Sequence, residues 1–329
     1  MSDSNEPLTK VEQRLLSELL VFRAAMPAEP ATQPGRRSRP RLMGGPRCRR
    51  ISNLAVAGAV AAIFGVIVAH LLSSPTNSMA ATPKPLVYHA PLPGAPSGRR
   101  ELLRLAAAAA RQPPTPTKHA RYAYTKTMGW YLDSSIGGGQ TTSRVGIQSS
   151  ESWLADSGSG RVRTVRDEPD GGREVDDFNP GGGSPLLRPS TDQVVLARQL
   201  DHGHPRSDGP VERFVALSDL AMQQPIPAHI ESAILRLLAH APGLINSGSV
   251  TDRAGRPGVA ISIDSAYSGL PTRYTYIFDP NTGRLLGEEE TLIGNSGRLN
   301  VARGSVIAYT TYLASGWVAN TSSTPRSRG

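Results

Sequence analysis

"RYTYIFDPNTGRLLGEEETLI", residues Arg273–Ile293, decides the fold class of the part of the chain around it. Large β-forming residues stand on both sides of a short polar turn, "DPNTG", and this arrangement predicts an antiparallel hairpin. Pro280 presets one turn dihedral, and Asp279 can accept a hydrogen bond from the backbone two residues on. Asn281 and Gly283 tolerate positive φ, so the turn needs no catalytic explanation.

Further strand and helix signals surround this hairpin. Period-two alternation between turn residues predicts strands at 86–90, 119–132, 142–155, 161–168, 244–251, 259–267 and 305–318. Helical spacing and stop signals predict helices at 98–112, 191–200, 210–223 and 227–242. Residues 169–190 are rich in Gly, Pro and Asp and predict a long mobile loop. Runs of strands separated by a block of helices predict an α+β domain with a half-barrel-like antiparallel sheet packed with helices.

Seven aromatic residues of the predicted strands are the candidate ligand-binding residues, on the expected inner face of the sheet: Tyr122, Tyr124, Trp130, Trp153, Tyr274, Tyr276 and Phe278. Together they could line an apolar groove for a lipid, an acyl chain or a peptide. The alternative is that they form the core between sheet and helices. Glu288, Glu289 and Glu290 follow the turn, and we expect them on a solvated face, because nothing nearby suggests the desolvation that acid–base catalysis needs.

The apolar segment 51–72, "ISNLAVAGAVAAIFGVIVAHLL", contains no Asp, Glu, Lys or Arg in a chain of 329 residues. A helix of this length, at ~1.5 Å per residue, spans the ~30 Å hydrocarbon core of a bilayer. A cleaved signal peptide is the main alternative, but the basic region before the segment is too long for one. A buried core helix is a weaker alternative.

Arginines before the segment set the expected orientation. Seven lie between 36 and 50, including Arg47, Arg49 and Arg50, and no acidic residue stands among them. The positive-inside rule places the N-terminus in the cytoplasm and the C-terminal domain outside the cell membrane. The bilayer is therefore a predicted partner. Nucleic acid is not, because the basic cluster lacks interleaved aromatic residues and adjoins the membrane.

The chain divides, by prediction, into six parts. They are a short cytoplasmic amphipathic helix in 1–26, a basic disordered linker (27–50), the transmembrane helix (51–72), a Pro-rich tether (73–97), the α+β domain (98–318) and a disordered tail (319–329). The leucine face of residues 9–22 cannot form a core alone, so it either docks on a cytoplasmic protein or belongs to a largely disordered tail.

Motifs for chemistry are absent from the sequence, which has no nucleophile elbow, phosphate-binding loop, zinc-protease motif or dinucleotide fingerprint. The single cysteine, Cys48, excludes an intramolecular disulfide. "DHGHP" (201–205) is the best metal candidate, with His202 and His204, but two histidines without a third clear ligand are a weak signal. We expect no metal, no cofactor and no enzymatic activity.

The order of features resembles a family of high-GC bacterial single-pass membrane proteins that are often encoded beside extracytoplasmic-function sigma factors. "RYAYTKTMGWYL", "ESWLADSGSGRVRTVR", "LLAHAPGLINSGSVTDRAGRPGVAISID" and "IFDPNTGRLLGEE" carry this resemblance. The outer domain also resembles, in element order, the half-barrels of lipoprotein carriers and envelope-stress sigma regulators. The family of single-pass membrane proteins has no established catalytic or binding residues, so the resemblance to it implies none.

The resemblance implies a non-enzymatic sensor or regulator, with a sigma factor as one candidate target. The chain departs from the commonest anti-sigma proteins, whose cytoplasmic zinc domain carries a His and a Cys-x-x-Cys, because its cytoplasmic part has no His and only Cys48. The alternative function is a membrane-tethered lipid or lipoprotein carrier or scaffold.

Overall fold

The structure is a computed structural model that describes residues 82–114, 120–137, 140–166, 172–183, 185–266 and 268–325. The predicted cytoplasmic helix, basic linker and membrane span, with Arg47, Arg49 and Arg50, lie outside the described residues. Among the helices of the described ranges, none is long and apolar enough to cross a membrane.

Ten strands in the described ranges form one sheet. They are β1 (Tyr88–His89), β2 (Tyr122–Gly137), β3 (Gln140–Leu154), β4 (Gly160–Arg166), β5 (Arg173–Phe178), β6 (Ile245–Thr251), β7 (Pro257–Ser265), β8 (Thr272–Phe278), β9 (Leu285–Leu292) and β10 (Val306–Val318). Neighbouring strands are antiparallel throughout, in the order β1-β6-β7-β8-β9-β10-β2-β3-β4-β5. The final strand therefore joins the two consecutive blocks of strands, with β9 on one side and β2 on the other.

The same ranges contain four α-helices: α1 (Gly98–Ala110), α2 (Gln193–Leu200), α3 (Glu212–Gln223) and α4 (Ala228–Leu238). Side chains before two of them accept hydrogen bonds from the first turn, which satisfies backbone donors that have no partner within the helix. Asp192 caps α2 by accepting from the backbone N–H groups of Val194 and Val195, both at 2.9 Å. The large antiparallel sheet and the four helices confirm the predicted α+β class.

The four helices pack on one side of the sheet, which we call the helix face. Their apolar residues form a single core cluster with strand residues that include Ile261, Tyr276, Phe278 and Tyr312. Alternation along β8 places Tyr274, Tyr276 and Phe278 on this face, and each of them is at most 5% exposed.

The opposite side of the sheet, which we call the far face, is covered by chain segments instead of helices. Leu299 and Val301, between β9 and β10, pack near Trp130 and Tyr309. Leu86 and Tyr88 pack against a second cluster that contains Ile277. The predicted tether thus belongs to the folded domain from residue 84 onward.

One loop prediction is wrong in part. Residues 173–178 of the predicted mobile loop 169–190 form the edge strand β5, which is held by cross-strand ion pairs, Arg161 with Asp177 and Arg166 with Glu174. In the predicted disordered tail, the backbone oxygen of Ser323 accepts a hydrogen bond from the Trp153 indole at 2.7 Å. Neither interaction produces an apolar alternation that the sequence could display.

The "DPNTG" turn has the predicted local geometry and an additional tertiary role. Asp279 accepts from the Asn281 backbone N–H at 2.8 Å, and Gly283 has φ +73°. A β-carbon at Gly283 would lie 2.7 Å from the backbone oxygen of Leu105 in α1 and 3.2 Å from Leu235 in α4. The turn is therefore wedged between two helices, which fixes the β8–β9 hairpin against the helix layer.

Candidate functional site

One row of α3 residues, spaced four apart, crosses the helix face of the sheet. The ring centroids of Phe214 and Tyr276 of β8 lie 4.9 Å apart. The Ser218 hydroxyl donates to Glu288 in β9. The Met222 backbone oxygen accepts from Thr125 in β2 at 2.6 Å. Residues four apart share one side of a helix, so α3 is fastened across β8, β9 and β2 along a single line, which we call the α3 seam.

Carboxyl groups lie under the middle of the α3 seam. Glu288 pairs with Tyr276 and Glu290 with Tyr274 in the β8–β9 register, so both glutamates share the helix face with these tyrosines. The Tyr312 hydroxyl donates to Glu288 Oε1 at 3.3 Å. The expectation that these acids lie on a solvated face is wrong: the turn sets a register that places them beneath α3.

Both glutamate side chains are half-buried, and the desolvation of their carboxyl groups controls their ionisation. Desolvation, with a smaller contribution from the charge of Asp219, raises the pKa of Glu288 to about 7, although the hydrogen bond from Ser218 lowers it. Burial followed by the charge of Glu288 raises the pKa of Glu290 to about 8. The Oε2 atom of Glu290 is fully buried and has no hydrogen-bond partner among the described residues. The neutral acid suits this surrounding better than the carboxylate does.

His204 fastens the loop between α2 and α3 to the side chains of Glu212 and Asp219 on α3. Its Nε2 lies 3.1 Å from Asp219 Oδ2 and its Nδ1 lies 3.4 Å from Glu212 Oε2. The hydrogen bond to Asp219 is the main cause that raises the pKa of His204, and the charge of Glu212 adds to it. Asp219 thus contacts the imidazole, and its charge also acts on the Glu288 carboxyl.

A second polar cluster lies on the far face, directly behind the α3 seam. Arg253 forms an ion pair with Glu289, whose side chain is 0% exposed, and also donates to the Lys84 backbone oxygen at 3.0 Å. Glu289 accepts from the Tyr88 hydroxyl at 2.9 Å and from the Leu86 backbone N–H at 3.3 Å. These contacts tie residues 84–88 to the sheet, and we call the cluster the tether latch.

The tether latch has two further features. The Arg253 guanidinium lies 4.1 Å from the ring centroid of Tyr309, at cation–π distance. Burial and the charge of Glu289 both raise the pKa of Tyr88, so its hydroxyl stays a donor. A cavity of about 300 Å³ opens beside the latch, lined by residues 84–87, His89 and residues 251–253.

The candidate aromatic residues do not share one face of the sheet, so the expected common inner face is wrong, while their binding of a ligand stays a prediction. Tyr274, Tyr276 and Phe278 face the helices. Trp130 packs on the far face with Tyr309, whose neighbours in the sheet include Glu289. Tyr122, Tyr124 and Trp153 form a third far-face cluster beside the C-terminal segment. No single groove of the described structure unites the seven, because the cross-strand pairs Trp130–Tyr309, Tyr309–Glu289 and Glu289–Thr275 place Trp130 on the side of the sheet opposite Tyr274 and Tyr276.

The "DHGHP" segment uses its side chains in protein contacts. Asp201 forms a two-bond pair with Arg213, at 2.7 and 2.9 Å, while His204 contacts α3 and His202 is exposed. No group of three or more His, Cys, Asp or Glu side chains in the described ranges could hold a metal ion.

Comparisons with known proteins give a distant likeness only. No protein-family model matches the sequence, and no curated protein matches it. The structure of MucB shares 15% identity over 70% of this chain and 61% of that one, with a TM-score of 0.27. The MucA/MucB complex of Pseudomonas aeruginosa shares 13% identity over 69% of this chain and 58% of that one, with a TM-score of 0.25. A DUF1329 family protein from Desulfovibrio piger shares 10% identity over 68% of this chain and 94% of that one, with a TM-score of 0.22. The chain thus spans about three fifths of the MucB chains, and function has to be argued from its own residues.

Proposed function

We propose that this protein is a membrane-anchored, non-enzymatic regulator of the cell envelope. In this proposal the segment 51–72 anchors the chain, the α+β domain lies outside and binds a ligand, and residues 9–22 dock on a cytoplasmic protein. The resemblance to proteins encoded beside sigma factors makes a sigma factor the first candidate for that partner.

One observation carries the proposal: two consecutive residues of β9 form hydrogen bonds in the α3 seam and in the tether latch. Glu288 points to the helix face and bonds α3, while Glu289 points to the far face and bonds residues 84–88. Side chains alternate across a strand, so a shift of β9 moves both contacts together. Residues 84–88 follow the predicted span by about a dozen residues, and they are the part of the domain through which a ligand-induced change would reach the membrane.

The first test removes the proposed output. Deleting residues 1–30 from the full-length chain should change transcription of the regulated genes, while the amount of protein in the membrane stays the same. Glu289→Gln, which weakens the tether latch, should alter the same transcripts. Asp177→Asn, in an exposed ion pair of the β5 edge, is the matched control and should leave them unchanged. If transcription is the same with and without residues 1–30, the regulatory function fails.

The carrier alternative makes a different prediction. A carrier must hold lipid between the helices and the sheet, where Tyr274, Tyr276 and Phe278 now pack against α3 and its neighbours. Native mass spectrometry of the purified full-length chain should then show lipid of defined mass bound to the protein. A regulator with a carrier-like fold but no cargo should show only protein.

A further inference from the structure

We propose that the α3 seam is a proton-binding switch, in which α3 stays docked while Glu288 and Glu290 are protonated and loosens when they ionise. The switch rests on the proposed function for its output, because it would act on the tether latch through β9. The ligand in this inference is the proton itself, which an extracytoplasmic domain meets at the pH of its surroundings.

The first support is the arrangement of acids without a compensating cation. Glu288 and Glu290 lie two residues apart on the helix face, and the charges of Asp219 and Glu288 act on them. Neither glutamate forms an ion pair with a Lys or Arg side chain among the described residues. Two carboxylates in such surroundings repel each other and lose solvation, so one or both favour the protonated state.

The groups that face these two acids come from every element near them. They are Ser218 and Asp219 of α3, Thr310 and Tyr312 of β10, Tyr274 and Tyr276 of β8, and, behind Asp219, the loop residue His204 with Glu212 and Asp208. Within this set His204 is the one side chain that can become positive, and it bonds Asp219, not the glutamates. Protonation is therefore the means by which the seam loses negative charge.

The second support is the unpartnered oxygen of Glu290. Its Oε2 atom is enclosed and receives no hydrogen bond from the described residues. A carboxylate oxygen in that position would be an unsatisfied buried charge, whereas a protonated acid carries none. Glu288 differs, since the hydroxyls of Ser218 and Tyr312 donate to it. Glu290 should therefore hold its proton to higher pH than Glu288, in agreement with pKa values of about 8 and about 7.

The direction of the switch follows from the sign of these shifts. Both pKa values in the docked state lie above the ordinary value of 4.5. Proton binding thus favours docking, fully below pH 4.5, and this contribution is lost as the pH rises through about 7 and about 8. His204 acts in the same direction, because its raised pKa means that the imidazolium stabilises the contact with α3 and is lost at higher pH. Acid therefore tightens α3, and alkali loosens it.

Hydrogen exchange of the full-length chain in lipid nanodiscs tests the switch. After correction for intrinsic rates, the protection of α3 amides should fall at least about 10-fold between about pH 6 and about pH 8, as a single acid with pKa about 7 requires. In the variant Glu288→Gln/Glu290→Gln, which is neutral at every pH, most of that dependence should disappear. Glu231→Gln is the control, since Glu231 is also a buried acid with a pKa of about 7 but lies on α4. It should leave the response of α3 intact.

The outcomes separate this inference from the proposed function. Protection of α3 that does not vary with pH in the wild-type chain overturns the switch, and so does a double variant that keeps the full wild-type dependence. If the double variant does not fold, Glu290→Gln alone decides, because it removes the group of highest pKa and should shift the transition to lower pH. If α3 responds to pH but deletion of residues 1–30 leaves transcription unchanged, the switch stands and the regulatory function fails.

Discussion

At the scale of single residues, the tether latch is the feature most sensitive to substitution. Arg253→Met leaves the Glu289 carboxylate buried without its cation, which should lower the free energy of unfolding by roughly 3–5 kcal/mol. Adding Glu289→Gln should restore most of this loss, because the amide oxygen is neutral and can still accept from Tyr88 and the Leu86 N–H. Chemical denaturation of the two single variants and the double variant measures this as a cycle. A double variant with a lower free energy of unfolding than Arg253→Met would contradict the proposed pairing of Arg253 with Glu289.

Gly283 provides a second prediction at this scale. Gly283→Ala forces an alanine to φ +73° and places its β-carbon 2.7 Å from the Leu105 backbone oxygen. Gly304→Ala is a matched control, with φ +83° but no atom within 4 Å of the new carbon. We expect the control to cost roughly 1 kcal/mol and Gly283→Ala roughly 3 kcal/mol or more in denaturation experiments. Equal costs would mean that the turn is not wedged between α1 and α4.

Residues with local roles were the ones that the sequence could identify. The contact of Asp279 with the Asn281 N–H and the positive φ of Gly283 arise within five residues, and both were predicted. The partner of Glu289 was not predictable, because Leu86 and Tyr88 lie about two hundred residues away along the chain. The position of Glu288 beneath α3 was not predictable for a related reason, because the sequence of a strand does not show which layer covers a charged residue on it.

At the scale of elements, helix capping can be tested without disturbing the core. Asp192 accepts two backbone hydrogen bonds at 2.9 Å at the start of α2, whereas Ser97 accepts one at 3.4 Å at the start of α1. Asp192→Ala should therefore cost roughly 1 kcal/mol, and Ser97→Ala should cost less. Thermal unfolding of both variants measures the order. A larger loss for Ser97→Ala would contradict the difference in capping geometry.

The positions of helices and strands were more predictable than the faces they present. Apolar periodicity identified α1 to α4 and most strands, since it records which side of each element is buried. It missed β5, whose side chains are exposed and held by ion pairs with β4. It also placed two sets of aromatic residues on one face. Alternation shows which side chains of a single strand share a side, but not how that side matches the sides of another strand, which the pairing through β9 and β10 decides.

At the scale of the whole molecule, the sheet brings two features that are distant in the sequence to its opposite faces. Its helix face holds a layer of titratable side chains, and its far face holds the segment that leads toward the predicted membrane span. The +9 net charge of the chain owes much to the arginines before that span, outside the domain. The domain's own electrostatic character is set instead by a few buried acids, because a charge in the interior is screened far less than one on the surface.

This distribution of buried acids predicts the pH dependence of global stability. The pKa values of Glu231, Glu288 and Glu290 are raised to about 7, 7 and 8, so the stability they contribute is present below 4.5 and lost as the pH rises through those values. Asp201 acts oppositely, because Arg213 lowers its pKa and its contribution is lost only in strong acid. The full-length chain should therefore melt several degrees higher at about pH 5.5 than at about pH 8.5, by the usual relation of free energy to Tm.

Scanning calorimetry of the detergent-solubilised chain at closely spaced pH values measures the effect, and the triple variant Glu231→Gln/Glu288→Gln/Glu290→Gln is the comparison. Its Tm should vary less with pH than that of the wild-type chain, and the two curves should approach each other in mild acid, where the wild-type glutamates are also neutral. Residual variation should carry the signature of His204, a further loss as the pH rises through its raised pKa. A wild-type Tm that increases between about pH 6 and about pH 8 would show that these carboxyl groups ionise at ordinary pH, and that the seam beneath α3 is open to water.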